Sequence, residues 1–548
     1  FVWGTTVEGK DMIGSIVSTK PYTLGQHDER NVVILLGNIH SGECAGKEAL
    51  LMMLRELADN PDHEWLKRNV IIFAPNYNAD GNDRMGKNNR RGQAGPVNGM
   101  GRRENAQQLD LNRDFSKIES PEARALVKLI DTANPHMFVD CHTTDGSRHQ
   151  YKLTYDIPHN PATAAPIRNF LRQKMMPVVT KQLEDQGTLT FYYGNFGRDN
   201  KTWTTYGYEP RYSTEYVGLR GRLGILSEAY SYLDYKGRIF ATKDFCGALL
   251  DYVTKNHAAV HQLLDSVDKD LVEAATKDPQ RVQISLAAKA VPFKEKFMLK
   301  GFKDDQPTDF ECDFIGDFES TKSTPLPYAY VLPVEQARVV DRLMMHGVKV
   351  ERLTRDIELD VEIDEVANLA KQRRFQKHEM VRVESNRRKS KETVSKGTYI
   401  VRTAQPLGRW IAYMLESESD DGYAFWNFFD EWMAVGKAFP VGRIPMPADL
   451  PTEEINEVTK VGMITLDSID GPNNLLKDLP KAPRWLGKTN ILRANVYDRE
   501  MLLDARSASF VNRPARPYRK PDVIAAIIDA GLDEEVAKEL ADADPLLP

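Results

Sequence analysis

Four cysteines, Cys44, Cys141, Cys246 and Cys312, are all that 548 residues contain. They are too few for a disulfide framework, and with no Cys-x-x-Cys pair a thiolate metal site is discounted; they read as buried free thiols. An apolar run near the ~18 residues that cross a bilayer is also missing, which excludes an integral membrane protein for the chain as given. Nor is there an excess of basic charge. The 73 Lys and Arg residues against 79 Asp and Glu leave a net charge of −6, which gives no basis for nucleic-acid binding. Internal repeats and low-complexity tracts are absent. The chain does not begin with methionine. A removed signal peptide, which would place the protein outside the cytoplasm (secreted or periplasmic), and a trimmed start both stand open.

What is present points to a metal. The run Val32-Val33-Ile34-Leu35-Leu36 reads as a buried strand and ends in Gly37-Asn38-Ile39-His40-Ser41-Gly42-Glu43. His40 and Glu43 therefore leave a strand end three residues apart, where an imidazole and a carboxylate can grip one Zn²⁺ from the same side. A second run, Met137-Phe138-Val139-Asp140, delivers Cys141-His142, and His142 makes a third ligand. Three protein ligands leave one position open, the mark of a catalytic rather than a structural zinc site. His136, His149 and His159 compete with His142. His142 is preferred because it follows the strand directly, whereas His149 and His159 fall in polar, proline-bearing sequence and read as surface residues.

At this length the chain holds two to four domains. Residues 1–265 alternate strands and helices, with helices over 44–59 and 121–132 and strands at 32–36, 70–73, 137–140 and 224–227. That alternation implies an α/β fold with a mixed, largely parallel sheet flanked by helices, and active residues where strands end. A long polar stretch, 76–119, is unusual inside such a domain and reads as functional. Residues 266–445 form an accessory α+β or β-rich domain. It contains a helix-like segment (267–288), a strand–helix–strand unit (329–350), a basic run (371–396) read as a solvated hairpin, and core-forming segments at 399–416 and 424–433. A linker is expected at 445–457. Residues 446–548 read as a C-terminal β-rich region ending in a helix near 521–541.

The spaced trio His40-x-x-Glu43 and His142 resembles the zinc metallocarboxypeptidase family, of the carboxypeptidase A, B and E/D type, whose members carry His-x-x-Glu and one later histidine. His-Glu-x-x-His is absent, and Cys44 after Glu43 rules out the inverted His-x-x-Glu-His. The string from Gly101 to Phe115 resembles that family's substrate-anchoring segment, and Asn78-Ala79-Asp80-Gly81 its Asn-Pro-Asp-Gly turn. Gly9-Lys10-Asp11 resembles its entry strand. The resemblance covers about residues 8–260 and implies one Zn²⁺ per chain and a peptide substrate with a free C-terminal carboxylate. It implies that Asn112 and Arg113 hold that carboxylate, for which a guanidinium fork is suited. Arg103 would stabilise the oxyanion, with Arg90, Arg91 and Arg102 as rivals, and Asp114 stands where Asn is commoner. Glu228, at the end of Gly224-Ile225-Leu226-Ser227, would be the general base, and Asp140 would orient His142. Tyr206, 22 residues earlier, would close over the substrate, with Tyr208, Tyr212 and Tyr216 as alternatives. Arg211, Arg220 and Arg222 are open between substrate contacts that would favour acidic side chains and plain surface residues. The expected activity is removal of C-terminal amino acids from peptides. A zinc amidase acting on acylated amino acids or cell-wall peptides is the second reading, and a catalytically silent binding protein the third.

Overall fold

The computed structural model describes residues 1–144 and 146–456. A seven-stranded sheet organises the first half, in the order Ser15–Val17, Asn69–Ala74, Asn31–Gly37, Met137–Thr144, Leu223–Tyr230, Leu153–Asp156, Thr190–Tyr192. The middle four strands run parallel. Ser15–Val17 pairs antiparallel with Asn69–Ala74, and Leu153–Asp156 antiparallel with Leu223–Tyr230 but parallel with Thr190–Tyr192, so the sheet is mixed. Every residue of Asn31–Gly37, Asn69–Ala74 and Met137–Thr144 is buried, as expected of parallel strands covered on both faces. On one face Val33, Leu35, Ile71, Phe73 and Val139 pack with Leu50 and Met53 of the helix Gly46–Asp59 and with Phe245 and Leu249 of the helix Tyr235–Lys255. The helix Pro121–Ala133 starts where proline and the Ser120 cap require, Ser120 Oγ accepting from Ala123 N. Gly46 is fixed by contact rather than by backbone freedom: a Cβ there would lie 2.7 Å from Cys141 Cβ and 2.9 Å from its carbonyl oxygen. The first helix can therefore close onto the strand that carries His142.

Beyond residue 265 the helix His257–Lys277 ends earlier than the sequence suggests, because Pro279 follows, and the chain enters a long antiparallel hairpin, Gln283–Lys303 with Gln306–Pro325. The second strand of that hairpin pairs with Thr202–Thr204 from the first half, over a small core of Tyr151, Trp203, Leu299, Cys312 and Phe314. A second seven-stranded sheet is antiparallel throughout: Val381–Val394, Ile357–Lys371, Ala438–Ile444, Ala329–Leu332, Tyr399–Arg402, Val350–Leu353, Thr452–Ile455. Between its strands lie the helices Ala337–Met345 and Gly408–Leu415. The mixed, helix-flanked sheet and the following β-rich region are the expected fold class.

The basic run, expected as a solvated hairpin of its own, supplies the tip and the return strand Val381–Val394 of a pair whose first strand is Ile357–Lys371. The tip turns through Gln376 (φ 48°) and Lys377 (φ 69°), a two-residue connection of the kind that matches strand twist. The expected linker is partly a strand. Thr452–Ile455 pairs with Val350–Leu353 at the sheet edge, where a polar sequence is tolerated. The expected helix near 521–541, and nearly all of the expected C-terminal region, lie outside the described residues. Among the described residues no helix is long and apolar enough to cross a membrane. The four cysteines are free and buried.

Candidate active site

The strand Asn31–Gly37 ends at Asn38, which takes a left-handed conformation (φ 67°) that asparagine tolerates better than most residues. Its side chain is anchored to Asn76 Oδ1 at 2.5 Å. The chain then doubles back in a turn closed by Glu43 N donating to His40 O at 2.8 Å, which places both side chains on one side. His142 arrives on the neighbouring parallel strand, and Glu228, on the next, is paired in register with it.

The result is a carboxylate between two imidazoles. His40 Nδ1 lies 2.9 Å from Glu43 Oε1, and His142 Nδ1 lies 2.8 Å from Glu43 Oε2. Each ring's far nitrogen faces a second carboxylate: His40 Nε2 is 2.8 Å from Asp110 Oδ1, and His142 Nε2 is 2.9 Å from Asp140 Oδ2. All five residues are buried. Burial opposes the charge on Glu43, but His40, Arg90 and His142 hold its carboxyl well below the usual range. Burial likewise opposes a charged His142, while Asp140 and Glu43 hold that ring well above its ordinary value.

This donor set fits zinc. The ligand atoms of His40, Glu43 and His142 lie within 4.8 Å of one another. Both rings present the same nitrogen inward while a carboxylate fixes the other, the arrangement that orients histidines for metal binding. Asp110 does not stand out in the sequence. Its signal was present as the Asp two residues before Asn112, and its carboxylate caps that turn, accepting from Asn112 N at 2.9 Å.

Two arginines reach Glu43 Oε1: Arg90 at 2.6 Å and Arg103 at 3.2 Å. Arg103 also grips Asp110 Oδ2 at 2.9 Å. Arg91 and Arg102 do not touch the group. Asn78 ties the pieces together, donating to the carbonyls of Ile39 (3.4 Å) and Arg103 (3.1 Å). Asn112 lies on the His142 side, its Nδ2 3.4 Å from His142 Nε2. Arg113 stacks its guanidinium 4.3 Å from the centre of the Tyr212 ring, and Tyr212 packs edge-on against Tyr206. Tyr206 directs its hydroxyl to Glu215 Oε1 at 3.3 Å. Tyr216 is core, bonded to His346, and Tyr208 accepts from Ala288 N. The half-buried Glu228 makes no side-chain hydrogen bond or ion pair among the described residues. Burial pushes its carboxyl up to about 8, against the pull of His142 and with the help of Glu43 and Asp140.

Several readings of single residues change. His149 and His159 are buried, not exposed. The His149 ring stacks on Tyr230 at 4.1 Å, and His159 Nε2 meets Asp156 at 3.1 Å. The hairpin from 283 to 325 covers them (His149 bridges to Gly301, and Phe318 packs on His159), a contact no local pattern reveals. Arg211, Arg220 and Arg222 are buried ion-pair partners of Asp421, Asp131 and Asp268 at 2.8–2.9 Å, neither surface residues nor free for a substrate. Asp114 closes its own loop, accepting from Ser120 N and Lys117 Nζ. Gln376, at the tip of the second sheet's hairpin, accepts from Asp110 N at 2.9 Å, and nothing in the sequence pointed to it.

Residues 1–173 match the family described as Zinc carboxypeptidase. Carboxypeptidase 2 of Trichophyton rubrum is 22% identical over 438 residues, covering 75% of this chain and 76% of that protein. Carboxypeptidase Z of Mus musculus is 35% identical over 124 residues, 21% of this chain and 18% of that protein. Among solved structures, a metallo-carboxypeptidase from Burkholderia cenocepacia aligns with 46% of this chain and 64% of its own, at 18% identity and a TM-score of 0.35.

Proposed function

We propose that the chain, whose residues 1–173 match the family described as Zinc carboxypeptidase, is a zinc metallocarboxypeptidase that removes C-terminal residues from peptides ending in a free carboxylate. The observation that carries this reading is the pair of imidazoles turned by buried carboxylates onto the two oxygens of Glu43, with the unpaired Glu228 on the adjoining strand. We assign His40, Glu43 and His142 as ligands to one zinc per chain, which when bound supplies a Lewis acid for the scissile carbonyl and lowers the pKa of water. Glu228 takes the proton from the attacking water and delivers it to the departing amine nitrogen. Arg103 stands where negative charge builds on the carbonyl oxygen, and its tie to Asp110 holds it in place. Asn112 and Arg113 receive the terminal carboxylate, an amide donor beside a planar fork. The tyrosines stacked from Arg113 outward, Tyr212 and then Tyr206, close that end of the site. We take 1–265 as the catalytic domain and 266–445 as an accessory domain that supports it.

Paired peptides with free and amidated C-termini test the anchor. The free-acid peptide should lose its last residue and the amidated one should resist. Arg113→Lys should lower kcat/KM for the free-acid peptide by roughly 10- to 100-fold, the worth of a charge-assisted hydrogen bond. Equal cleavage of both peptides would overturn the reading and favour an amidase acting on acylated amino acids or cell-wall peptides.

A further inference from the structure

Beside Glu43 the surface opens into a hollow of ≈ 650 Å³ whose lining includes Arg90, Arg91, Arg102 and Arg103, with Glu104 as its one acid. A second hollow of ≈ 560 Å³ shares Asn88, Asn89 and Arg102 with it and adds Lys87. We propose that this hollow binds acidic side chains of the peptide upstream of the bond to be cut. The proposal rests on the carboxypeptidase reading and adds to it the class of substrate preferred.

Its position follows from the contacts. Arg90 and Arg103 touch Glu43 Oε1, whereas His142, with Asn112 behind it, is on Glu43 Oε2. Arg103 lines the hollow and also meets Asp110 Oδ2, the oxygen that Arg113 approaches at 4.0 Å, so Arg103 links the arginine hollow to the carboxylate anchor. A peptide whose last residue is held at Asn112 and Arg113, and whose scissile carbonyl reaches Arg103, runs its preceding residues into the hollow.

Its chemistry follows from which charges are already used. Arg90 and Arg103 are paired with Glu43 and Asp110. Arg91 and Arg102 are exposed, and their side chains make no hydrogen bond or ion pair among the described residues. Two unpaired guanidinium forks in a concave, polar wall are a carboxylate receptor. The chain as a whole carries −6, so this local excess of positive charge runs against the molecule's overall sign and focuses field at the site.

Two peptides that share a neutral C-terminal residue, one with Glu and one with Gln at the second and third positions upstream, decide the matter. Wild type should turn over the Glu peptide with about tenfold higher kcat/KM. The Arg91→Gln/Arg102→Gln double variant should prefer it no more than about twofold, with its rate on the Gln peptide unchanged. Raising the salt from about 0.15 M to 1 M, which shortens the screening length from about 8 Å to 3 Å, should erode the wild-type preference. Fluorescence anisotropy of the same two peptides, labelled, on the Glu228→Gln protein gives the binding preference apart from turnover. Equal turnover and binding of the two peptides by wild type, or a preference that survives in the double variant, would overturn the proposal. Cleavage of the Gln peptide without any acidic preference removes the hollow's role and leaves the carboxypeptidase reading standing. Acid-selective binding lost in the double variant, with neither peptide cleaved, removes peptide hydrolysis and leaves the hollow's specificity.

Discussion

Asp140 is wholly buried, and its one bonded oxygen serves both His142 Nε2 at 2.9 Å and the Ser213 hydroxyl at 2.5 Å. Its place behind a candidate ligand makes it a positioning residue whose removal should be read in metal affinity rather than in fold. Asp140→Asn keeps the shape and removes the charge, and should weaken zinc binding roughly 10- to 100-fold in competition with a chelator. An unchanged affinity would mean that His142 needs no such partner. At this scale the trio itself was legible, because His40 and Glu43 share one turn and His142 follows an apolar strand. Asp140 could be suggested from its place beside His142. Asp110 was seen only as part of a longer string, since its link to His40 spans 70 residues. Gln376 was invisible, its contact with Asp110 spanning 266.

The hairpin Ile357–Lys371/Val381–Val394 docks its tip on the loop beneath the site. Besides Gln376, its tip carries His378, whose Nε2 lies 2.9 Å from Glu119 Oε1. Burial alone would raise the Glu119 carboxyl, but the His378 ring and the Lys117 ammonium hold it down at about 2, against an ordinary 4.5. A carboxyl depressed on folding binds its proton more weakly in the folded chain than in the unfolded one. It therefore adds stability above about pH 4.5, and that contribution is lost as the pH falls toward 2. The melting temperature should accordingly fall more steeply between pH 4.5 and 2 in wild type than in Glu119→Gln, and parallel curves would show that the contact contributes nothing. The sequence indicated the return strand of this hairpin, because a strongly charged run fits an exposed strand, but not its partner Ile357–Lys371. It could not indicate that the tip docks at 110 and 119, nor that Thr452–Ile455 joins the sheet edge, since both depend on partners far along the chain.

Over the whole molecule, the four central strands of the first half were legible, because continuous apolar runs leave little choice but a covered parallel sheet, whereas its short edge strands were not. Past residue 265 the class was legible but the pairing was not. The strand Gln306–Pro325 pairs with Thr202–Thr204 across more than a hundred residues and buries His149 and His159 in passing. A zinc held at His40, Glu43 and His142 and proton transfer at Glu228 are separable in the whole chain, the one read as binding and the other as chemistry. Zinc content and release of free C-terminal residues from a mixed peptide library, measured side by side for wild type and Glu228→Gln, test both most directly. Each protein should hold about one zinc, wild type should free C-terminal residues, and the variant should lose at least about 100-fold in rate. Release undiminished in Glu228→Gln, or wild type that holds no zinc, would contradict these roles.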